Sequence, residues 1–163
     1  MIEQIKTILE RQFAATLAML GECIERCPDE HWTGVVGKYP FWQVAYHTLC
    51  YADLYLSPSE TDFTLRPIHP QGWDELKNEY PSRLFNKAEL LEYVDFCQRK
   101  AAEIIAAQTS ASFSEPSGFS WQPVTRGELH ICNIRHVQHH TGQLSAFLRR
   151  VDVDTSWIKS GGA

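Results

Sequence analysis

Residues 125–150, TRGELHICNIRHVQHHTGQLSAFLRR, carry the pattern that decides the fold. The segment opens with Thr125-Arg126-Gly127-Glu128, a capping box. A threonine hydroxyl can accept from an orphan backbone N–H, and a glutamate three residues on can reach back. No proline interrupts the segment, so a helix of about seven turns is expected at 3.6 residues per turn. Stepping about 100° per residue from Leu129, the side chains of Asn133, His136, His140, Leu144 and Phe147 fall within roughly 60° of it. Arg135, Gln138, Thr141 and Arg149 fall on the far side.

Two histidines therefore sit on the face that should be buried. A buried ring nitrogen left unpaired costs roughly 1–3 kcal/mol, so each ring needs a hydrogen bond or a metal. His136 and His140 are four residues apart, which puts their Cβ atoms about 5–6 Å apart on one side of the helix. That spacing lets two imidazoles reach one ion. It equally suits a pair of core histidines bonded to backbone or to each other, and spacing alone leaves both readings open.

The 163 residues suit one domain with a sizeable core. We read residues 1–158 as that domain and 159–163, KSGGA, as a flexible tail. Apolar residues at 44% and charged residues at 21% describe an ordinary globular composition. A net charge of −5 and the lack of a basic stripe argue against nucleic acid as a partner. The opening MIEQIKTILERQF is amphipathic and unlike a signal peptide, and no run is long and apolar enough for a membrane span. Cys23, Cys27, Cys50, Cys97 and Cys132 form no CxxC pair and fall in helical segments, where free cysteine behaves as a small buried hydrophobe. A reducing cytoplasm is the simplest setting.

Ahead of the decisive segment, Ile5, Ile8, Leu9, Phe13, Leu17, Leu20 and Ile24 predict a first helix over about 2–26. Residues 28–39 read as a connection. Pro40 suits the first turn of a second helix, FWQVAYHTLCYADLYL, apolar nearly all round and so expected at the centre. His47 shares a face there with Val44, Tyr51 and Leu54. Residues 57–85 are irregular and rich in proline and aromatics, with a short helix conceivable at Trp73–Glu79 and His69 expected to be exposed. Asn86-Lys87-Ala88-Glu89 starts a third helix running to about Gln108, and residues 109–124 form a second loop.

Four long helices with no strand signal predict an all-α four-helix bundle with a long connection after helix two. Sites in such bundles lie between facing helices. His47, His136 and His140 are then three imidazoles on buried faces. Such a set suits Zn²⁺, Ni²⁺ or Fe²⁺, with remaining positions open.

These residues resemble the DinB/YfiT-like metalloenzymes. The likeness is carried by AYHTLCYADLYL around His47 and by His136-Val137-Gln138-His139-His140-Thr141-Gly142-Gln143-Leu144, with Trp32 and Asp154-Thr155-Ser156-Trp157-Ile158 similar to the family's flanks. It covers nearly the whole chain. The resemblance implies a divalent metal, zinc or nickel, held by His47, His136 and His140. It also implies a transferase that joins a low-molecular-weight thiol to an electrophile, and a homodimer. The metal would lower the thiol's pKa. Many members carry a histidine where this chain has Cys132, which leaves that residue either a fourth ligand or buried packing. His139, Gln143 and Tyr51 are expected around the ligands, Gln143 to orient one and Tyr51 to hydrogen-bond a bound water or substrate. The cavity is expected beneath 57–85 or 109–124. Two other readings stand beside the transferase. Metal-dependent hydrolysis needs a carboxylate base, for which only Asp53 and Glu128 offer themselves. A non-catalytic metal-binding or dimeric scaffold needs none.

Overall fold

Apolar side chains recurring every three or four residues generate α1 (Ile2–Arg26), α2 (Phe41–Leu56), α3 (Lys87–Ala106) and α5 (Arg126–Arg149), joined by a one-turn α4 (Ser110–Ser114). The computed structural model describes residues 1–69 and 83–161. The helix considered at Trp73–Glu79 lies outside them. Around the bundle the order is α1, α3, α2, α5, so α1 stands diagonally opposite α2. The link between that pair must cross an end of the bundle. It does so through a 3₁₀ turn at Asp29–His31 and an antiparallel hairpin of β1 (Val35–Val36) and β2 (Tyr39–Pro40).

That hairpin departs from the strand-free expectation. Its two-residue turn, Gly37-Lys38, needs a positive φ at Gly37 (67°), which glycine adopts without strain. Asn86 caps α3 with both bonds of its box: Glu89 N–H donates to Asn86 Oδ1 and Asn86 N–H to Glu89 Oε2, each 2.9 Å. At α5 only half of the expected box forms. Thr125 Oγ1 accepts from Glu128 N–H, while the return bond from the glutamate is not made. In the second loop, Thr109 and Ser112 form a reciprocal cap that starts α4.

Helix α2 is central, as its composition requires: of its sixteen residues only His47 and Tyr51 are not fully buried. Helix α5 is buried on two faces rather than one. Toward α2 lie Leu129 and Asn133, whose Nδ2 donates to Ala52 O at 3.0 Å. Toward α1, Gln138 accepts from Thr16 Oγ1 at 2.9 Å, and Thr141, expected on the solvent side, is buried with its hydroxyl bonded to Val137 O. A single hydrophobic arc could not show this, because the second face is lined by groups that satisfy one another.

His69, expected to be exposed, is buried. Its Nδ1 accepts from the Arg66 backbone N–H at 2.7 Å, so Nε2 carries the proton and donates to Tyr93 Oη at 2.8 Å. Tyr93 in turn donates to Asp53 Oδ2 at 2.8 Å, and Lys100 Nζ reaches Asp53 Oδ1 at 2.5 Å and Ser57 Oγ at 2.8 Å. This chain of bonds ties α2, α3 and the start of the long connection together. At the far end, Gly161 N–H bonds to Arg11 O along α1. All five cysteines are free thiols, and no helix among the described residues is long and apolar enough to cross a membrane.

His130 is fully buried between the rings of Phe13 and Phe113, with neither ring nitrogen hydrogen-bonded. Burial, aided by nearby Arg126, pushes its pKa down to about 4. The unfolded chain therefore takes up a proton near the ordinary value of 6.5 that the folded chain refuses. The resulting stability is complete above that value and is lost as pH falls toward 4. His130→Leu is expected to lose less stability than the parent between pH 6.5 and 4, measured by urea unfolding at each pH. Lys100→Met, which strands the Asp53 carboxylate in the core, should cost about 3 kcal/mol in the same assay at neutral pH.

Candidate metal centre

Two helices supply the site. Helix α2 places His47 and, one turn later, Tyr51, while α5 places His136 and His140 one turn apart. Because α2 packs directly on α5, the three rings meet. Their centroids lie 5.4 Å apart for His47 and His136, 5.0 Å for His47 and His140, and 4.7 Å for His136 and His140. One ring nitrogen from each lies within 4.8 Å of the other two. Among the described residues these three histidines alone make up the cluster, and Cys132 stands outside it.

The rings are chemically ready for a cation. Desolvation by burial, with His140 nearby, lowers the pKa of His47 to about 4. Burial and the neighbouring His140, His47 and His139 lower that of His136 to about 3. His140 is lowered by burial, an effect its hydrogen bond to Gln143 opposes. All three are thus neutral imidazoles near neutral pH, and binding a cation displaces no proton from them. Their lone pairs are also uncommitted. Among the described residues, the rings of His47 and His136 have no hydrogen-bond partner, and Nδ1 of His136 is buried. His140 uses only Nδ1, toward Gln143 at 2.8 Å. Three neutral, unclaimed imidazoles are the donor set a borderline ion such as Zn²⁺ or Ni²⁺ takes.

The cluster is not sealed in the core. None of the three histidines is fully buried, and His47 and His140 form one end of a groove of about 340 Å³. The groove's other walls are Val36, Gly37, Lys38, Tyr39, Gln43, Val44 and Gln143. Among the described residues its cover is therefore the β1–β2 hairpin rather than 57–69, 83–85 or 109–124, and residues 70–82 of the expected roof lie outside them. Helical periodicity is blind to this hairpin, whose signal is the V-V-G-K-Y run of β-branched and aromatic residues around a glycine. Each strand is only two residues long, too short to show an alternating pattern.

The surrounding residues divide by position. Tyr51 lies 4.7 Å from the His47 ring and 5.5 Å from the His136 ring, and burial raises its pKa, so it keeps its O–H at neutral pH. Tyr55, one turn further and absent from the sequence-based expectations, stands 6.4 Å from the His136 ring and packs on Phe119. His139 is exposed and bonds through Nε2 to Gln143 at 3.3 Å. Asp53 is committed to Lys100 and Tyr93, and Glu128 lines a different cleft. No carboxylate among the described residues lines the histidine groove.

A family model of the DinB superfamily matches residues 12–144, a span that contains all three histidines. No curated protein matches the chain.

Purified protein is expected to carry or take up about one equivalent of zinc or nickel by plasma mass spectrometry. His47→Ala and the His136→Ala/His140→Ala double variant should lose it. Because the His47 and His136 pKa values already lie at about 4 and 3, affinity should show little drop as pH falls through 6.5, where unperturbed histidines protonate.

Proposed function

The chain belongs to the DinB superfamily, and from that premise we propose that it is a metal-dependent transferase joining a low-molecular-weight thiol to an electrophile. The observation that carries this reading is the cluster's position. Of the three neutral, uncommitted imidazoles, His47 and His140 line a solvent-open groove whose described lining holds no carboxylate, and His136 completes the cluster beside them. A site closed by four protein ligands would suit a structural ion, whereas three ligands leave room for a reacting molecule. Zinc or nickel is the expected occupant. Held by His47, His136 and His140, the ion would supply Lewis acidity that lowers a thiol's pKa and favours its nucleophilic thiolate form.

The chain's own groups provide the remainder. Val36, Tyr39 and Val44 offer apolar surface for the carbon frame of thiol or electrophile, and Gln43 offers an amide to orient it. Tyr51, still protonated beside His47, can donate a hydrogen bond to negative charge that develops as a carbon–sulfur bond forms. The thiol proton leaves to solvent through the open groove, and so does the anion released when the electrophile's carbon–leaving-group bond breaks as the carbon–sulfur bond forms. Hydrolysis fits less well, since no carboxylate is placed to activate water there.

Metal-free protein reloaded with zinc or nickel is expected to consume thiol and a chromogenic aryl electrophile one for one, with activity lost on chelation and in His136→Ala. Loaded protein that shows no thiol consumption across glutathione, cysteine and sugar-linked aminothiols would overturn the transferase reading. If chelation then lowered the melting temperature, the ion's role would be structural.

A further inference from the structure

Gln143 bridges two histidines of its own helix, and the chemistry of an amide gives the bridge a direction. Its Oε1 lies 2.8 Å from His140 Nδ1, and its Nε2 lies 3.3 Å from His139 Nε2. An amide oxygen only accepts and an amide NH₂ only donates. His140 must therefore carry its proton on Nδ1, and His139 must present an unprotonated Nε2. The helix makes this geometry local, since residues 140 and 143 are three apart and 139 and 143 four apart on α5.

The consequence falls on the three-histidine cluster. With Nδ1 protonated and engaged, the lone pair of neutral His140 is on Nε2, the only nitrogen it can offer to the cluster. Reversing the amide would turn its NH₂ toward His140 Nδ1 and demand the opposite tautomer, with a proton on Nε2 and no lone pair for an ion. A reversed amide would keep its bond to His139 only if that exposed ring moved its proton to Nε2. Resting on the metal-site reading above, we infer that Gln143 is a positioning residue that locks His140 in its ligating tautomer through the bond from His140 Nδ1 to its Oε1. Gln143 and His139 both stand outside the three-histidine cluster.

The test compares the parent with Gln143→Leu, Gln143→Glu and His139→Phe. All three substitutions fall on exposed positions, so the fold is expected to survive them. The first readout is the tautomer of His140 in metal-free protein, from long-range ¹H–¹⁵N NMR of the imidazole. The parent should show Nε2 unprotonated. Gln143→Leu should show a mixture, and Gln143→Glu, which still accepts from Nδ1–H, should restore the parent pattern. His139→Phe should keep the parent pattern, since the bond to Gln143 Oε1 alone holds His140. The second readout is zinc affinity by competition with a chromophoric chelator. Gln143→Leu should weaken it about 10- to 100-fold, with Gln143→Glu at least as tight as the parent. A parent His140 protonated on Nε2, or a Gln143→Leu variant with unchanged tautomer and unchanged affinity, would overturn the inference. A parent that binds no zinc but shows the predicted tautomers would sink the metal reading and leave the bridge intact.

Discussion

Helix α5 is clamped between α1 and α2, and each polar group on those two faces has to be satisfied away from water. How that is done changes along its length. Near the start, His130 is packed between two phenylalanines with no hydrogen bond at all. In the middle, Asn133 reaches the Ala52 carbonyl and Gln138 meets Thr16. On either side of Gln138, His136 and His140 are only partly buried and face His47 beside an open groove. The candidate site sits where α5 meets that groove. Enough desolvation remains to keep the rings neutral, and enough opening to admit a ligand.

A second constraint fixes α2, the partner helix. Its Asp53 is buried on the side away from His47 and is held by Tyr93 and Lys100 of α3. Removing a carboxylate from water is costly unless it is paired in good geometry. The pairing defines how α2 rotates about its own axis, and that rotation aims His47 at α5. The polar chain through His69 extends the same restraint to the start of the long connection. One side of α2 thus anchors, and the other presents the site.

Much of this is legible in the sequence because helical periodicity is a long-range average. The boundaries of α1 and α2, the cap at Asn86 and the convergence of His47, His136 and His140 all follow from steps of three and four residues. What escapes is short or reciprocal. Two-residue strands give no alternation to detect, so the hairpin over the groove reads as plain connection. The second face of α5 is closed by Thr141 bonding its own helix and by Gln138 meeting Thr16, pairings that hydrophobicity does not encode. His69 escapes for the same reason, its burial depending on Tyr93 far along the chain.

The groove's two sides differ in what they contribute to the rest of the molecule. Its histidine wall belongs to α2 and α5, whose packing is the bundle itself. Its other wall is a hairpin whose residues Val35, Gly37 and Lys38 are exposed and whose glycine meets no neighbour. Lys38 lines the groove from an exposed position, so a change there alters what the groove accepts without disturbing the core, whereas Val36 and Tyr39 pack against it. The groove's selectivity can thus be retuned from position 38 while the packing of the bundle stays as it is.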